Sequence, residues 1–565
     1  MVSQFCISSK LYHQIIILRG KSPRLKACAN PSTPCAFFCY NKSTMNEHDF
    51  LKLQNGSDIR GVALEGVDGE HVNLTTEVCR NIGAAFALWL SAKTGRSTDT
   101  LVIGIGRDSR LSGEALENAL VEGLAAQRVT IVRCSLATTP AMFMGTVFEE
   151  TNFDGSIMIT ASHLPFNRNG FKFFDKSGGL ERADITEILR SAAAQYDTTA
   201  QHSTAISPDS AAQQTTGDNG SPKCRSFDLI ARYSKHLQDA IRKGLSFHAE
   251  KPLANLKIAV DAGNGAGGFF AEQVLTELGA DTSGSRFLEP DGTFPNHSPN
   301  PENKAAMEAA KTATVQSHSD LGLIFDTDVD RMSAVLSDGT EVNRDAIIAM
   351  TAAILAPNYP HSTIVTDSVT SDRLTFFLEQ ELGLTHLRYM RGYKNVINKC
   401  RELNEQGIIS PLAMETSGHG ALKDNYYLDD GAFLAVKLVT ALANAKHEGK
   451  NIESLIGKLP PMVEETELRF KIRGEDFKEY GMSILQAFKE RAEKAGFELP
   501  QSYEGVRISF KSTEAQGWML LRLSLHDPVM PLNIESSRKG DLAKLKAIAR
   551  TLLEGFDRLD ISALE

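Results

Sequence analysis

Three observations predict an α/β protein of four domains, three of them related and the last a smaller α+β unit. Short β-branched runs alternate with longer amphipathic stretches, the pattern of strands covered by helices. A buried strand ending in a polar loop recurs in pairs, three times over. The 565 residues allow three or four domains at roughly 150 residues each.

The elements follow in order. Residues 1–46 read as a leader, with Lys10, Arg19, Lys21, Arg24, Lys26 and Lys42 and no acid before Glu47, a charge of +6. The rest of the chain carries 54 basic against 70 acidic residues, a net −16. A basic, acid-free, Ser-containing leader fits an organellar transit peptide, plastid before mitochondrion because no Arg-rich amphipathic helix stands out. A first α/β domain is expected over 47–225, with helices Thr75–Ala92 and Gly113–Ala126 and strands Leu101–Ile105 and Gly155–Ile159. Within it, Thr198–Pro222 is rich in Thr, Gln, Ser, Ala and Gly and reads as a flexible insertion. A second α/β domain over 226–341 has strands Leu256–Val260 and Leu321–Phe325. A third over 342–460 has strands Thr363–Thr366 and Ile408–Ala413. The last, 461–565, reads as strand Glu467–Ile472, helix Asp476–Ala495, strands Val506–Lys511 and Trp518–Ser524, and a closing helix Lys539–Leu559.

Composition narrows the function. A net charge of −10 argues against a general nucleic-acid binder. The apolar run Ile15–Leu18 stops at Arg19, far short of the roughly 18 residues of a membrane span. Four of eight cysteines lie in the leader, and the others lack metal-ligand spacing, so no disulfide framework is expected.

Chemistry gathers where strands end. The segment Thr160-Ala161-Ser162-His163 through Lys172 offers a hydroxyl among His163, Arg168 and Lys172, a candidate nucleophile or phosphoryl carrier. Asp326, Asp328 and Asp330 alternate after an apolar strand, so their carboxylates converge on one face. An EF-hand is excluded, because Arg331 replaces the turn Gly and Ser337 the bidentate Glu. Three carboxylates with few other donors point to Mg²⁺ completed by a phosphate oxygen. Glu415, Ser417 and His419 supply a carboxylate and hydroxyl for sugar hydroxyls and an imidazole for protons. The run Arg107-Asp108-Ser109-Arg110 either orients the serine loop or forms a surface ion-pair network. The Gly-rich run Asp261–Gly268 lacks a phosphate-loop lysine and reads as a tight structural turn. Arg522, Ser524 and His526 are candidates to bind a phosphate dianion.

Together with Asp58-Ile59-Arg60-Gly61, Gly106–Gly113, Phe294-Pro295-Asn296-His297 and Gly392-Tyr393-Lys394, these loops resemble the α-D-phosphohexomutase superfamily, the phosphoglucomutase/phosphomannomutase group. The resemblance runs from about Asp58 to the C-terminus. It implies three related α/β domains and a TATA-box-protein-like fourth. It implies a phosphoserine at Ser162, one Mg²⁺ per chain on Asp326, Asp328, Asp330 and a phosphoryl oxygen of Ser162, and groups assisting proton transfer at Arg60, Lys172 and His419, with His163 also among the catalytic residues. Glu415 and Ser417 would grip the sugar, Arg522, Ser524 and His526 the substrate phosphate, and Arg107, Arg110 and Arg331 would support them. The implied reaction moves phosphate between C1 and C6 of a hexose through a bisphosphate, with hexose 1,6-bisphosphate as activator. The implied protein is a monomer or weak dimer whose partners are small hexose phosphates. Leu164 stands where the family has Asn, Thr327 and Val329 replace glycines, Met414 replaces a Gly, and Arg522–Pro528 departs from the usual Arg-Pro-Ser-Gly-Thr-Glu-Pro. Substrate choice stays open among glucose, mannose and glucosamine phosphates. The alternative is a non-catalytic sugar-phosphate-binding relative.

Overall fold

A computed structural model describes residues 45–203, 223–524 and 527–565. Most of the leader, residues 204–222 of the insertion and His526 lie outside the described residues. Met45 and Asn46, assigned above to the leader, belong with the first helix. Asn46 caps Glu47–Leu51 in a capping box with Asp49. The insertion does not begin at Thr198, because the helix Arg182–Ser203 runs on into it.

Three sheets share one motif. In the first, Val102–Arg107 lies parallel to Gly155–Ile159, which pairs antiparallel with Arg168–Asp175. In the second, Ile258–Asp261 lies parallel to Leu321–Phe325, which pairs antiparallel with Met332–Leu336. In the third, Thr363–Thr366 lies parallel to Leu412–Met414, which pairs antiparallel with Gly420–Leu422. Each time, the loop that reverses direction after the second strand carries the candidate chemistry. The repeated strand-to-loop units are thus mixed sheets in which those loops are hairpin connections.

Local sequence explains the helices that cover these sheets. Thr75 is outside Thr76–Thr94 and accepts the Val78 N–H at 3.2 Å, while Gly95 in the left-handed region (φ 67°) ends it. Its buried stripe, Val78, Ile82, Phe86 and Leu90, follows the helical period and faces the sheet core that holds Ile103, Ile157 and Phe171. One larger core runs continuously through parts of the first three domains, from Met142 and Phe153 to Phe325, Met332 and Leu434. It fixes the three hairpin loops relative to one another.

The last domain is a four-stranded antiparallel sheet in the order Glu464–Lys471, Val529–Ser536, Gln516–Leu521, Val506–Lys511. Helices Phe477–Lys494 and Asp541–Leu553 pack on it around Phe470, Phe488, Leu532 and Leu545. The sequence reading missed Val529–Ser536, a central strand, because Pro531 interrupts it. Pro531 is tolerated because its carbonyl accepts from Arg522 N–H (3.1 Å) beyond the last ladder pair, Leu521 with Leu532. Its missing N–H therefore faces the side where the neighbouring strand has ended. The strand expected at Trp518–Ser524 stops at Leu521, and the closing helix is shorter than Lys539–Leu559. The third-domain strand expected at Ile408–Ala413 is Leu412–Met414.

Candidate active site

Ser162 sits in a loop the fold holds from below. Its backbone is left-handed (φ 51°), and its N–H donates to Thr160 Oγ1 at 2.8 Å. Arg110, almost fully buried, spreads its guanidinium under the loop and donates to the carbonyls of Ser162, Leu164 (2.6 Å), Pro165 (2.8 Å) and Arg168 (3.0 Å). Asp108 pairs with Arg110 Nε at 3.4 Å and accepts its N–H at 3.0 Å. Burial pushes Asp108 up to about 6, with Arg110 opposing. The cluster thus orients the serine loop through Arg110. Arg107 does not take part; it pairs with Glu117 at 3.2 Å on a neighbouring helix. Arg60 donates to Thr160 O and, at 2.8 Å, to Asp58.

The serine hydroxyl faces the aspartate loop. Ser162 Oγ donates to Asp326 Oδ2 at 3.1 Å and accepts from Arg331 Nη2 at 2.6 Å. Arg331 also donates through Nε to Asp326 Oδ2 (3.0 Å) and through Nη2 to His163 Nδ1. Burial, reinforced by Arg331, pushes His163 down to about 3, so its imidazole is neutral and Nδ1 is an acceptor. Sequence reasoning placed Arg331 only in support; the structure puts it in direct contact with the Ser162 hydroxyl.

Asp326, Asp328 and Asp330 are buried, and each offers an oxygen within 4.8 Å of the others. Lys172 pairs with Asp328 at 3.1 Å and with Asp330. Burial penalises the Lys172 charge, but Asp328 and Asp330 outweigh this and hold its pKa well above the ordinary value. Burial, then Asp330, push Asp326 well up against the pull of Arg331; against burial, Lys172 and His419 hold Asp330 well down. One oxygen each of Asp328 and Asp330 is buried without a hydrogen-bond partner among the described residues. Orphaned, converging carboxylate oxygens suit a hard cation, so this triad can hold a metal ion. Two supports were not foreseen. Thr139 donates its hydroxyl to Asp328 Oδ2 at 2.5 Å and its N–H to Asp328 O at 2.9 Å. The Gly-rich turn braces the loop: Ala266 N–H donates to Thr327 O at 2.8 Å, and a Cβ on Gly265 would fall 2.7 Å from that oxygen.

The third hairpin adds Glu415, Ser417 and His419. Glu415 Oε1 accepts the Gly392 N–H at 2.7 Å, and His419 Nδ1 lies 2.9 Å from Ser417 Oγ and 3.5 Å from Glu415 Oε2. His419 Nε2 is 3.5 Å from Asp330 Oδ1, and its ring stacks on Tyr393 at 5.7 Å. Burial pulls the imidazole down, but Asp330, Glu415 and Asp429 outweigh it and push it up to about 10. Backbone joins this loop to the aspartate loop: Met332 N–H donates to Gly418 O at 3.2 Å, and Arg331 bridges to His419.

Arg522 and Ser524 lie apart from these groups, in the last domain. Arg522 Nη1 is 3.5 Å from Glu504, and Ser524 Oγ accepts the Asp527 N–H at 3.2 Å. Arg522 connects to the third domain through Glu504, which accepts the Arg391 N–H at 2.7 Å. Sequence reasoning missed Thr139, Arg391 and Glu504; only the Gly392-Tyr393-Lys394 motif pointed to this region.

Serine, triad and imidazole together make a site in which charge can be neutralised around a transferring phosphoryl group. Models of the phosphoglucomutase/phosphomannomutase α/β/α domains I, II and III match residues 51–200, 231–339 and 343–463 in that order. A phosphomannomutase/phosphoglucomutase of Pseudomonas putida is 27% identical over 480 residues, covering 84% of this chain and 93% of its own. A phosphoglucosamine mutase of Natranaerobius thermophilus is 27% identical over 500 residues, covering 87% and 96%. The crystal structure of a phosphoglucomutase/phosphomannomutase family protein from Burkholderia thailandensis superposes with a TM-score of 0.69 at 26% identity, covering 90% and 98%.

Proposed function

Since the chain belongs to the phosphoglucomutase/phosphomannomutase family of intramolecular phosphotransferases, we propose that it moves phosphate reversibly between C1 and C6 of a hexose phosphate. The observation that carries this is the Ser162 hydroxyl, held between Asp326 and Arg331 beside the aspartate triad. In the proposed cycle a phosphoryl group on Ser162 Oγ passes to the free hydroxyl of the bound sugar phosphate. The bisphosphate turns end for end, and its other phosphoryl group returns to Ser162.

Each residue has a part in that cycle. Arg331 neutralises charge on the serine oxygen, and Arg110 keeps the loop that presents it. Mg²⁺ on Asp326, Asp328 and Asp330 would supply charge neutralisation at the phosphoryl oxygens. With the triad free of metal, Asp328 and Asp330 hold Lys172 protonated and Asp330 holds His419 so, which puts two groups able to carry a proton beside the sugar oxygen that leaves. In the opposite direction the same group, in its neutral form, takes the proton of the attacking sugar hydroxyl by microscopic reversibility, while Arg331 neutralises the Ser162 oxygen that leaves. Glu415 and Ser417 would hold the sugar hydroxyls, with Arg522 and Ser524 on the non-reacting phosphate. A hexose 1,6-bisphosphate would prime Ser162. The +6 leader supports import into the plastid.

A coupled mutase assay over the 1-phosphates of glucose, mannose and glucosamine, primed with the matching bisphosphate and Mg²⁺, tests the reading. Turnover of at least one substrate is expected. No turnover of any would leave the non-catalytic alternative, which the intact serine, triad and imidazole argue against.

A further inference from the structure

Two runs of the second domain, the Gly-rich turn Asp261–Gly268 and Phe294-Pro295-Asn296-His297, are bonded into one unit. His297 Nε2 lies 3.0 and 3.1 Å from the two Asp261 carboxylate oxygens, and Nδ1 lies 3.0 Å from Ser298 O. Both ring nitrogens thus face acceptors, which suits an imidazolium donating from each. Burial opposes that charge, and Asp261 outweighs it. Phe287 stands edge-on to the ring at 5.4 Å, and Gly263 (φ 53°) lies against Pro299. Asn296 donates to Asn264 Oδ1 at 2.8 Å, and Asn264 donates to Glu289 O and Phe287 O at 2.9 Å each.

This unit reaches the serine along two routes. The Phe294 ring lies 5.2 Å from the Arg110 guanidinium, within cation–π range. Gly292 presses on the same stretch, where a Cβ would fall 2.5 Å from Ser109 O and from Leu111 N. Asn300 Oδ1 lies 3.4 Å from Arg331 Nη1. Arg110 carries the serine loop, and Arg331 the serine hydroxyl. On its other side the Gly-rich turn holds the aspartate loop through the Ala266 bond to Thr327 O. Phe287 and Phe294 are left-handed (φ 53° and 49°), a costly conformation for bulky residues that persists only where the surroundings over-determine it.

We propose that residues 287–300 of the second domain form a brace that sets the Ser162 oxygen in register with the aspartate loop. His297 on Asp261 is its anchor; Phe294 under Arg110 and Asn300 beside Arg331 are its bearing points. All three are positioning residues, since each acts on the serine through another side chain. That this register serves phosphoryl transfer rests on the function proposed above; the brace itself does not.

Amide hydrogen exchange of the full-length protein tests this without turnover. The N–H groups of Ser162, Leu164 and Arg168 are bonded within the serine loop, so exchange over 160–168 reports how firmly it is held. Phe294→Leu removes the ring and should speed that exchange about threefold or more, with the adjoining strand Gly155–Ile159 unchanged. Phe294→Tyr keeps the ring and should restore the wild-type rate. His297→Gln keeps a donor without the charge and should speed the same exchange about fivefold or more. In the mutase assay both loosened variants should lower kcat about tenfold while KM stays within about threefold. Unchanged exchange over 160–168 in either variant overturns the brace. Equal acceleration in Gly155–Ile159, the mark of general destabilisation, overturns it too, and a Phe294→Tyr as loose as Phe294→Leu overturns the ring contact. Should His297→Gln fail to fold, the two Phe294 variants decide the brace. Faster exchange with kcat unmoved overturns the link to catalysis. If the exchange pattern holds while the wild type turns over no hexose phosphate, the proposed function falls and the brace stands.

Discussion

The left-handed backbone at Ser162 separates two effects that mutation normally confounds. A non-glycine residue there costs roughly 1 kcal/mol, which Ser162→Gly would recover while removing the hydroxyl and its bonds to Asp326 and Arg331. Its stability should stay within about 1 kcal/mol of the wild type by urea denaturation, with turnover down at least a thousandfold, roughly, in the mutase assay. His419 makes a second residue-scale prediction. Its folded pKa, about 10, lies above the unfolded value, so its charge stabilises the fold fully below about pH 6.5. That contribution is lost as pH rises toward 10. In chelator, the stability difference between wild type and His419→Gln should shrink by on the order of 3 kcal/mol from pH 6.5 to 10; a difference independent of pH would refute the assignment. These residues were legible because each sits in a short run whose neighbours carry the same chemistry: Ser162 beside His163, three aspartates at two-residue spacing, Glu415 four before His419. Thr139, Arg391 and Glu504 were not. Each reaches the site only through tertiary contact, and a lone threonine, arginine or glutamate carries no local signal.

Elements hold these residues by bracing loops from the rear. Arg110 donates to four carbonyls of the serine loop, and Asp108 depends on it for its counter-charge. Arg110→Met should therefore cost about 3–5 kcal/mol in denaturant titration, because it strands a buried carboxylate. Arg110→Lys should keep the charge but lower kcat more than it raises KM, since a lysine cannot fork to four acceptors. On the second hairpin, Asp328→Asn should weaken Mg²⁺ binding at least about tenfold by calorimetry and abolish most turnover. Equal activity of wild type and Asp328→Asn in excess chelator would count against metal on the triad. Periodicity made most strands and helices readable, Gly155–Ile159, Leu321–Phe325 and Gly113–Ala126 to the residue. It failed at Val529–Ser536, where Pro531 gives a signal against a strand that only the ended neighbour makes harmless.

At the scale of the molecule, the loops of Ser162, of the aspartate triad and of Glu415 to His419 are locked together by a shared core and by backbone bonds such as Met332 to Gly418. The last domain has its own core and meets the third through Arg507, which donates to Ser368 O and Thr370 O at 3.2 Å, and through Val369 against Trp518 and Leu520. The repeated architecture was legible because one strand-and-loop unit recurs three times; how the fourth domain grips the third was not, because it depends on single side chains far apart in sequence. The leader belongs to this scale too. Residues 1–60 fused to a fluorescent protein should enter plastids in plant cells, and a signal confined to the cytosol would refute the targeting proposal. The order of domains along the chain also has a consequence for the timing of synthesis. A ribosome making this protein completes the loops of Ser162, of Asp326 to Asp330 and of Glu415 to His419 while Glu504 and Arg522 are still untranslated, because these lie in the final domain. At the pace of roughly 5–20 residues per second at which domains emerge, the unfinished chain spends several seconds able to fold its three α/β domains without the last one. The contacts of Arg507 with Ser368 and Thr370 therefore form only with the last stretch made, and a chain cut short by premature termination leaves Val369 without Trp518 and Leu520 to pack against.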